Sequence, residues 1–273
     1  MTAPIGGSGN LQLGGSTVNN GSDTGVVVLS GTNTYTGTTT VATGTLLVNG
    51  VNGSSPITVG AGASLGGTGS LGGAVTVQAG GTLAPGIPTQ GALSDAIGTL
   101  TASSAASVSG AVTMKINRAG VPTSDEFAAP AITVNSGAAL TVANIGSTNL
   151  AAGDTFTLFS APVSGGFSTV TLPALPGANL YWTNNLAVNG SIAVVSVFTV
   201  NTNSTNIVFT ANAGVLTLAW PQDHTGWTLQ VQTNTSSVGL GTNWDDVPGS
   251  AATNTVSLPV NVNNGAVFYR LKL

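Results

Sequence analysis

The chain contains no cysteine and very little charge: of its 273 residues four are Lys or Arg, eight are Asp or Glu and one is His. Without cysteine there is no disulfide framework and no thiolate metal site. Charged residues make up 4% of the sequence, against about a quarter in an ordinary soluble protein. The surface must therefore be built from Thr, Ser, Asn and Gly. No basic stripe exists to neutralise phosphates, which excludes nucleic acid as a partner. No run of about 18 apolar residues is present to cross a membrane as a helix. The first residues, MTAPIGGSGN, lack the basic region and apolar core of a signal peptide. The composition suits a secreted protein, so the expectation is a mature form whose leader has been removed.

Between Val26 and Gln90 there is no Asp, Glu, Lys, Arg or His. Enzymes that cut polysaccharides need paired carboxylates, or bound calcium with a basic proton acceptor, on neighbouring strands. That stretch can hold neither, and the sequence predicts no catalytic residue, no cofactor and no metal. His224 follows Asp223 in a polar turn and reads as a surface residue, because no serine spacing suggests a nucleophile. Asp245 and Asp246 could contribute to a calcium site, but no D-x-D-x-D-G loop accompanies them. Trp220, Trp227 and Trp244 are read as packing residues of a small core, with an aromatic platform for sugar rings as the alternative.

What the chain does have is a repeat. ITVGAGASL at 57–65 returns as VTVQAGGTL at 75–83 and ITVNSGAAL at 132–140, and a shortened TTVATGTL ends at Leu46. Val41, Val59 and Val77 recur at a spacing of 18 residues. Each phrase opens with alternation, breaks at a small-residue corner and turns inward again at a leucine such as Leu65, which describes a strand, a corner and the start of the next strand. One unit cannot bury its apolar side, whereas units stacked at the strand spacing of about 4.8 Å bury a continuous interior. The expected fold is all-β: a parallel β-solenoid (β-helix) with a perimeter near 60 Å, at about 3.3 Å per residue. Pro85 and Pro88 predict a loop over 84–96.

Residues 2–24 are small and polar. Leu11 and Leu13 alternate around Gln12, which suits a first, weakly anchored strand, and the segment reads either as a frayed terminus or as a strand that pairs with a neighbouring molecule. In VTMKIN (112–117), Val112, Met114 and Ile116 point inward and Lys115 outward. The text after it holds Arg118, Asp125 and Glu126, read as a solvated loop with compensating charges, a cation site or contact loop being the alternative. Alternating strands are expected over 153–161, 167–176 and 186–197. After Val200 a polar linker leads to six short strands, at 206–211, 215–220, 227–233, 244–248, 255–260 and 266–273, the pattern of a small antiparallel β-sandwich. The expected domains are 1–197 and 198–273.

Leu29, Ser30, Gly31, Asn33, Thr34, Tyr35, Thr36, Gly37, Thr39, Thr40, Val41, Gly44, Thr45 and Leu46 reproduce, in order, a motif of the form S-G-x-N-T-Y-T-G-x-T-T-V-x-x-G-T-L. The segment closely resembles the autotransporter-associated β-strand repeat, and Gly66–Gly73 and Gly81–Gly86 look like its continuation. The resemblance implies a β-helix in a bacterial secreted or surface passenger region. It implies no catalytic residue. The end of the chain, with Trp220, Pro221, Gly226, Trp227, Gln230, Gln232, Trp244, Pro248 and the F-Y-R-L of Phe268–Leu271, resembles C-terminal modules of large secreted proteins from Verrucomicrobia-like bacteria.

These readings converge on a structural protein, secreted or on the surface of a bacterium, whose principal partner is another copy of itself. A solenoid has two open ends, and no amphipathic capping helix is evident at either. The expected assembly is a fibre of subunits joined head to tail, with the N-terminal segment acting as an added strand. Candidate assembly contacts are Ile5, Leu11 and Leu13 at one terminus and Phe268, Arg270 and Lys272 at the other. The alternative is an adhesin or carbohydrate-binding module, with surface or matrix polysaccharide as the partner and the solenoid as spacer.

Overall fold

A computed structural model of the chain describes residues 3–14, 25–87, 95–197 and 200–273. The chain divides into two compact units, Met1–Ser196 and Val197–Leu273.

The first unit is a three-sided parallel solenoid. The first sheet runs through Leu11–Leu13, Thr39–Val41, Ile57–Val59, Val75–Val77, Ala106–Val108, Ile132–Val134 and Val163–Gly165. The second runs through Val26–Leu29, Gly44–Val48, Ala63–Gly67, Thr82–Pro85, Ala111–Ile116, Ala139–Asn144 and Thr169–Thr171. The third comprises Thr32–Asn33, Val51–Asn52, Ser70–Leu71, Thr99–Ala102 and Glu126–Ala128. The chain visits the three sheets in rotation, and all their ladders are parallel.

Register explains the repeat. Val41 pairs with Val59 and Val59 with Val77, and all three are buried. Leu46, Leu65 and Leu83 form the matching buried row of the second sheet. Thr40, Thr58 and Thr76 lie between the buried positions, on the outer face. Alternation with a period of two therefore decides which side chains enter the core.

The family-like motif has a structural explanation too. Asn33 is buried; its amide donates to the Gly31 and Val51 carbonyls at 3.2 Å and its oxygen accepts the Ile5 N–H at 3.0 Å. Tyr35 Oη lies 2.6 Å from Thr39 Oγ1, which lies 2.8 Å from Ser55 Oγ, and all three residues are buried. Gly37 is required by close approach, since a Cβ there would strike the Gly9 backbone. These motif positions supply a buried polar network at the first rungs.

Several expectations need correction. Pro85 ends a strand instead of starting a loop: Thr82–Pro85 pairs with Ala63–Gly67, and Gly86 and Ile87 continue in bridges to Gly67 and Ala96. A proline is tolerated at a strand terminus, where the ladder ceases to need its N–H. The rest of the predicted 84–96 loop, 88–94, lies outside the described residues. Within 186–197, Leu186–Asn189 is a short helix ended by Gly190 at φ 77, and only Ser191–Ser196 is a strand. The strand Leu180–Asn185 was not expected from the sequence.

The apolar core is thereby covered at the far end of the solenoid. Thr155–Thr157, Ser191–Ser196 and Leu180–Asn185 form a three-stranded antiparallel sheet. Leu186, Ile192, Val194 and Phe156 join the solenoid core, with Phe167, Val170 and Trp182 packed against it. The apolar interior at that end is covered by the chain itself, while Val163–Gly165 and Thr169–Thr171 remain the terminal strands of their sheets.

The second unit contains all six expected strands in two three-stranded antiparallel sheets. Val208–Asn212, Val215–Ala219 and Thr255–Pro259 make one, and Asp245–Asp246, Thr228–Asn234 and Ala266–Lys272 the other. Leu218, Trp220 and Leu229 form the core between them, with Tyr269 and Leu271 from the last strand.

Candidate functional site

The N-terminal assembly residues lie on the solenoid of their own chain. Leu11, Gln12 and Leu13 pair in parallel with Thr39, Thr40 and Val41, and the Ile5 carbonyl accepts the Thr34 N–H at 2.8 Å. Leu13 is buried and Ile5 and Leu11 pack against the core. The first, weakly anchored strand expected here is present: alternation around Gln12 suffices to form a first partial rung, because the partner strand supplies the other side of every bond. The described part of the segment is thus the edge itself. Residues 15–20 of the proposed segment lie outside the described residues.

The orientation of that edge follows from its bonds. Leu11 donates its N–H to the Thr38 carbonyl, and the Leu13 carbonyl accepts the Ala42 N–H. Backbone groups alternate sides along a strand, so the N–H and C=O of Gln12 face away from the Thr39–Val41 strand. An apolar groove of about 390 Å³, lined in part by Leu11, Leu13, Val26 and Val27, runs beside it.

The C-terminal candidates occupy the terminal strand of the second sandwich sheet. Phe268, Arg270 and Lys272 stand opposite Gln232, Gln230 and Thr228. Arg270 is engaged inside its own unit: Nε donates to Gln230 Oε1 at 2.8 Å and the guanidinium lies 4.3 Å from the centre of the Trp244 ring. Gln230 in turn donates to Asp246 Oδ1 at 2.6 Å. The three tryptophans are dispersed in role. Trp220 is buried in the core, Trp244 carries the arginine on its face, and the Trp227 ring lies 5.4 Å from that of His224 and donates to the Asn201 carbonyl at 2.8 Å.

His224 is not a surface residue; it is 3% exposed. Nδ1 lies 2.7 Å from Asp223 Oδ1 and Nε2 lies 2.8 Å from the Asn203 carbonyl oxygen. Both neighbours are acceptors, so only the doubly protonated ring satisfies both. The Asn203 carbonyl first, then the Asp223 carboxylate, raise the histidine pKa. The side-chain hydrogen bonds from Asn201 and His224 lower that of Asp223.

The loop read as solvated also needs correction. Asp125 is 1% exposed; its Oδ1 accepts the Gly98 N–H at 2.9 Å and its Oδ2 the Lys115 N–H at 2.8 Å. Lys115 Nζ lies 3.3 Å from Asp125 Oδ2, 3.3 Å from Asp95 Oδ1 and 3.1 Å from the Ile87 carbonyl oxygen. Burial pushes the Asp125 carboxyl up to about 6, although the lysine and the two N–H donors pull the other way. The sequence carries one signal for this: Lys115 points outward on its strand, where a charge-poor surface leaves it few partners. Arg118 donates from Nε to Asp154 Oδ1 at 2.8 Å. Among the described residues no group of three His, Cys, Asp or Glu could hold a metal ion, and no helix is long and apolar enough to cross a membrane.

No protein-family model and no curated protein matches the chain.

Proposed function

We propose that the chain is a structural protein of the bacterial exterior, the subunit of a homopolymeric fibre held together by β-strand pairing. The observation that carries this reading is the terminal strand Leu11–Leu13, with the backbone groups of Gln12 turned outward beside an apolar groove. Backbone pairing at a sheet edge needs little side-chain help. Neither 3–14 nor 25–87 carries a charged side chain, so the rung sets no like charge against the Arg270 and Lys272 of the strand proposed to pair with it. The partner edge in this proposal is the strand Ala266–Lys272 of the next molecule, terminal in its own sheet. Joining two different edges is heterologous and propagates without closing.

The N-terminal rung, and not a swapped arm, is the contact surface, because the described part of that arm is already docked. The alternative of a glycan-binding adhesin has less support, since Arg270 covers a face of Trp244 and Trp220 is buried. Sedimentation over a range of protein concentrations tests the reading. Species that grow steadily with concentration are expected, and a single sedimenting monomer at the highest concentration would count against it.

A further inference from the structure

Lys115 and Asp125 are held as a reacting pair is held. The amine is pinned by three oxygens, from Asp95, Asp125 and the Ile87 carbonyl. The Asp125 carboxyl is fixed by two backbone N–H donors and removed from solvent. Gly86, at φ +77, makes room for both groups: a Cβ there would collide with Asp125 Oδ1 and lie 3.1 Å from Lys115 Nζ. A simple buried ion pair needs no second carboxylate on the amine, and its desolvation cost can exceed its Coulombic gain.

We propose that Lys115 and Asp125 condense after folding into an intramolecular isopeptide bond, with Asp95 as the proton carrier. Proton transfer within the pair gives the neutral amine and neutral acid that the step needs, and the burial that raises the Asp125 pKa to about 6 lowers the cost of reaching that state. Nζ attacks Cγ, and the charge developing on Oδ1 faces the Gly98 N–H, an oxyanion donor already in place. Asp95 takes a proton from Nζ and delivers it to Oδ2. The Nζ–Cγ bond forms, the Cγ–Oδ2 bond breaks and one water leaves, with no oxidant, reductant or cofactor. Fixed proximity supplies what a bimolecular condensation lacks.

The product ties the strand Ala111–Ile116 of the second sheet to the residue before Glu126–Ala128 of the third. The intervening loop could then no longer be drawn out under load. This inference does not depend on how the chains associate.

Intact mass of the full chain, measured in denaturant after the protein has folded, tests it. The expected mass is one water below that of the sequence, with fragmentation placing the loss at Lys115–Asp125. Lys115→Arg keeps the charge but removes the reactive amine and is expected to retain the water; Asp95→Asn is expected to slow its loss. If Lys115→Arg does not fold, trypsin decides on the parent protein, because an acylated Lys115 resists cleavage. A parent protein that keeps its full mass after prolonged incubation, or is cut completely after Lys115, overturns the proposal.

Discussion

Leu65 and Leu83 are register partners in neighbouring parallel strands of the second sheet, and neither has any exposed surface. An aspartate at either position would place a charge in a thin interior that offers no partner, a cost of several kcal/mol. Leu83→Asp is expected to abolish folding and Leu83→Ala to lower stability by about 2–5 kcal/mol. Thr76→Asp, on the exposed outer face, should change it by no more than about 0.5 kcal/mol. Urea unfolding of the three variants checks this, and an unchanged midpoint for Leu83→Asp would refute the inward placement.

The solenoid was legible because one physical rule, alternation with a period of two, fixes both burial and register, and the 18-residue spacing of Val41, Val59 and Val77 repeats it. The sandwich strands were legible for the same reason. The cap was not. Leu186–Asn189 is only one helical turn, too short for a 3.6-residue periodicity to emerge, and the residues around it alternate well enough to pass for a strand. Nor was Asp125 legible as buried, because a carboxylate amid Thr, Ser and Pro looks solvated until the Gly98 and Lys115 N–H groups that hold it are located in space. His224 misled in the same way, its acceptors being 21 residues away at Asn203 and next door at Asp223. Among the candidate assembly residues, alternation marks Leu11–Leu13 as a first strand, and it pairs with Thr39–Val41 of the same chain.

The cap carries its own test. Leu186 is 4% exposed in the helix that closes the solenoid. Leu186→Asp should lower the melting temperature and, by loosening the cover over the last rung, increase binding of a hydrophobic dye. A variant with unaltered melting and dye binding would show that the helix does not seal the end.

The Asp223–His224 pair predicts a pH window. The histidine pKa is raised above 6.5, so its contribution to stability is full below that pH and is lost as the pH rises through the folded value. The aspartate pKa is lowered below 3.8, so its contribution is present above that pH and is lost as the pH falls through the folded value. Melting curves of the parent protein and His224→Gln should therefore differ most between about pH 4 and 6.5 and converge in alkali. A gap that widens as the pH rises would show the sign to be wrong.

Chelation should have no effect. Asp125 is committed to Lys115, Asp154 to Arg118 and Asp246 to Gln230. Melting in EDTA is expected to match melting in buffer, and a clear fall would direct attention to Asp245 and Asp246.

If the first rung is an assembly edge, Gln12 allows that edge to be blocked without disturbing the fold. Its backbone N–H faces away from the Thr39–Val41 strand, so proline there removes an outward donor and leaves the inward ladder intact. Negative-stain images of the parent protein and Gln12→Pro, at matched concentration and with matched melting temperatures, give the most direct answer. Fibres from the parent and isolated particles from the variant are expected; fibres of equal length from both, or none from the parent, would show that the first rung is not an assembly edge.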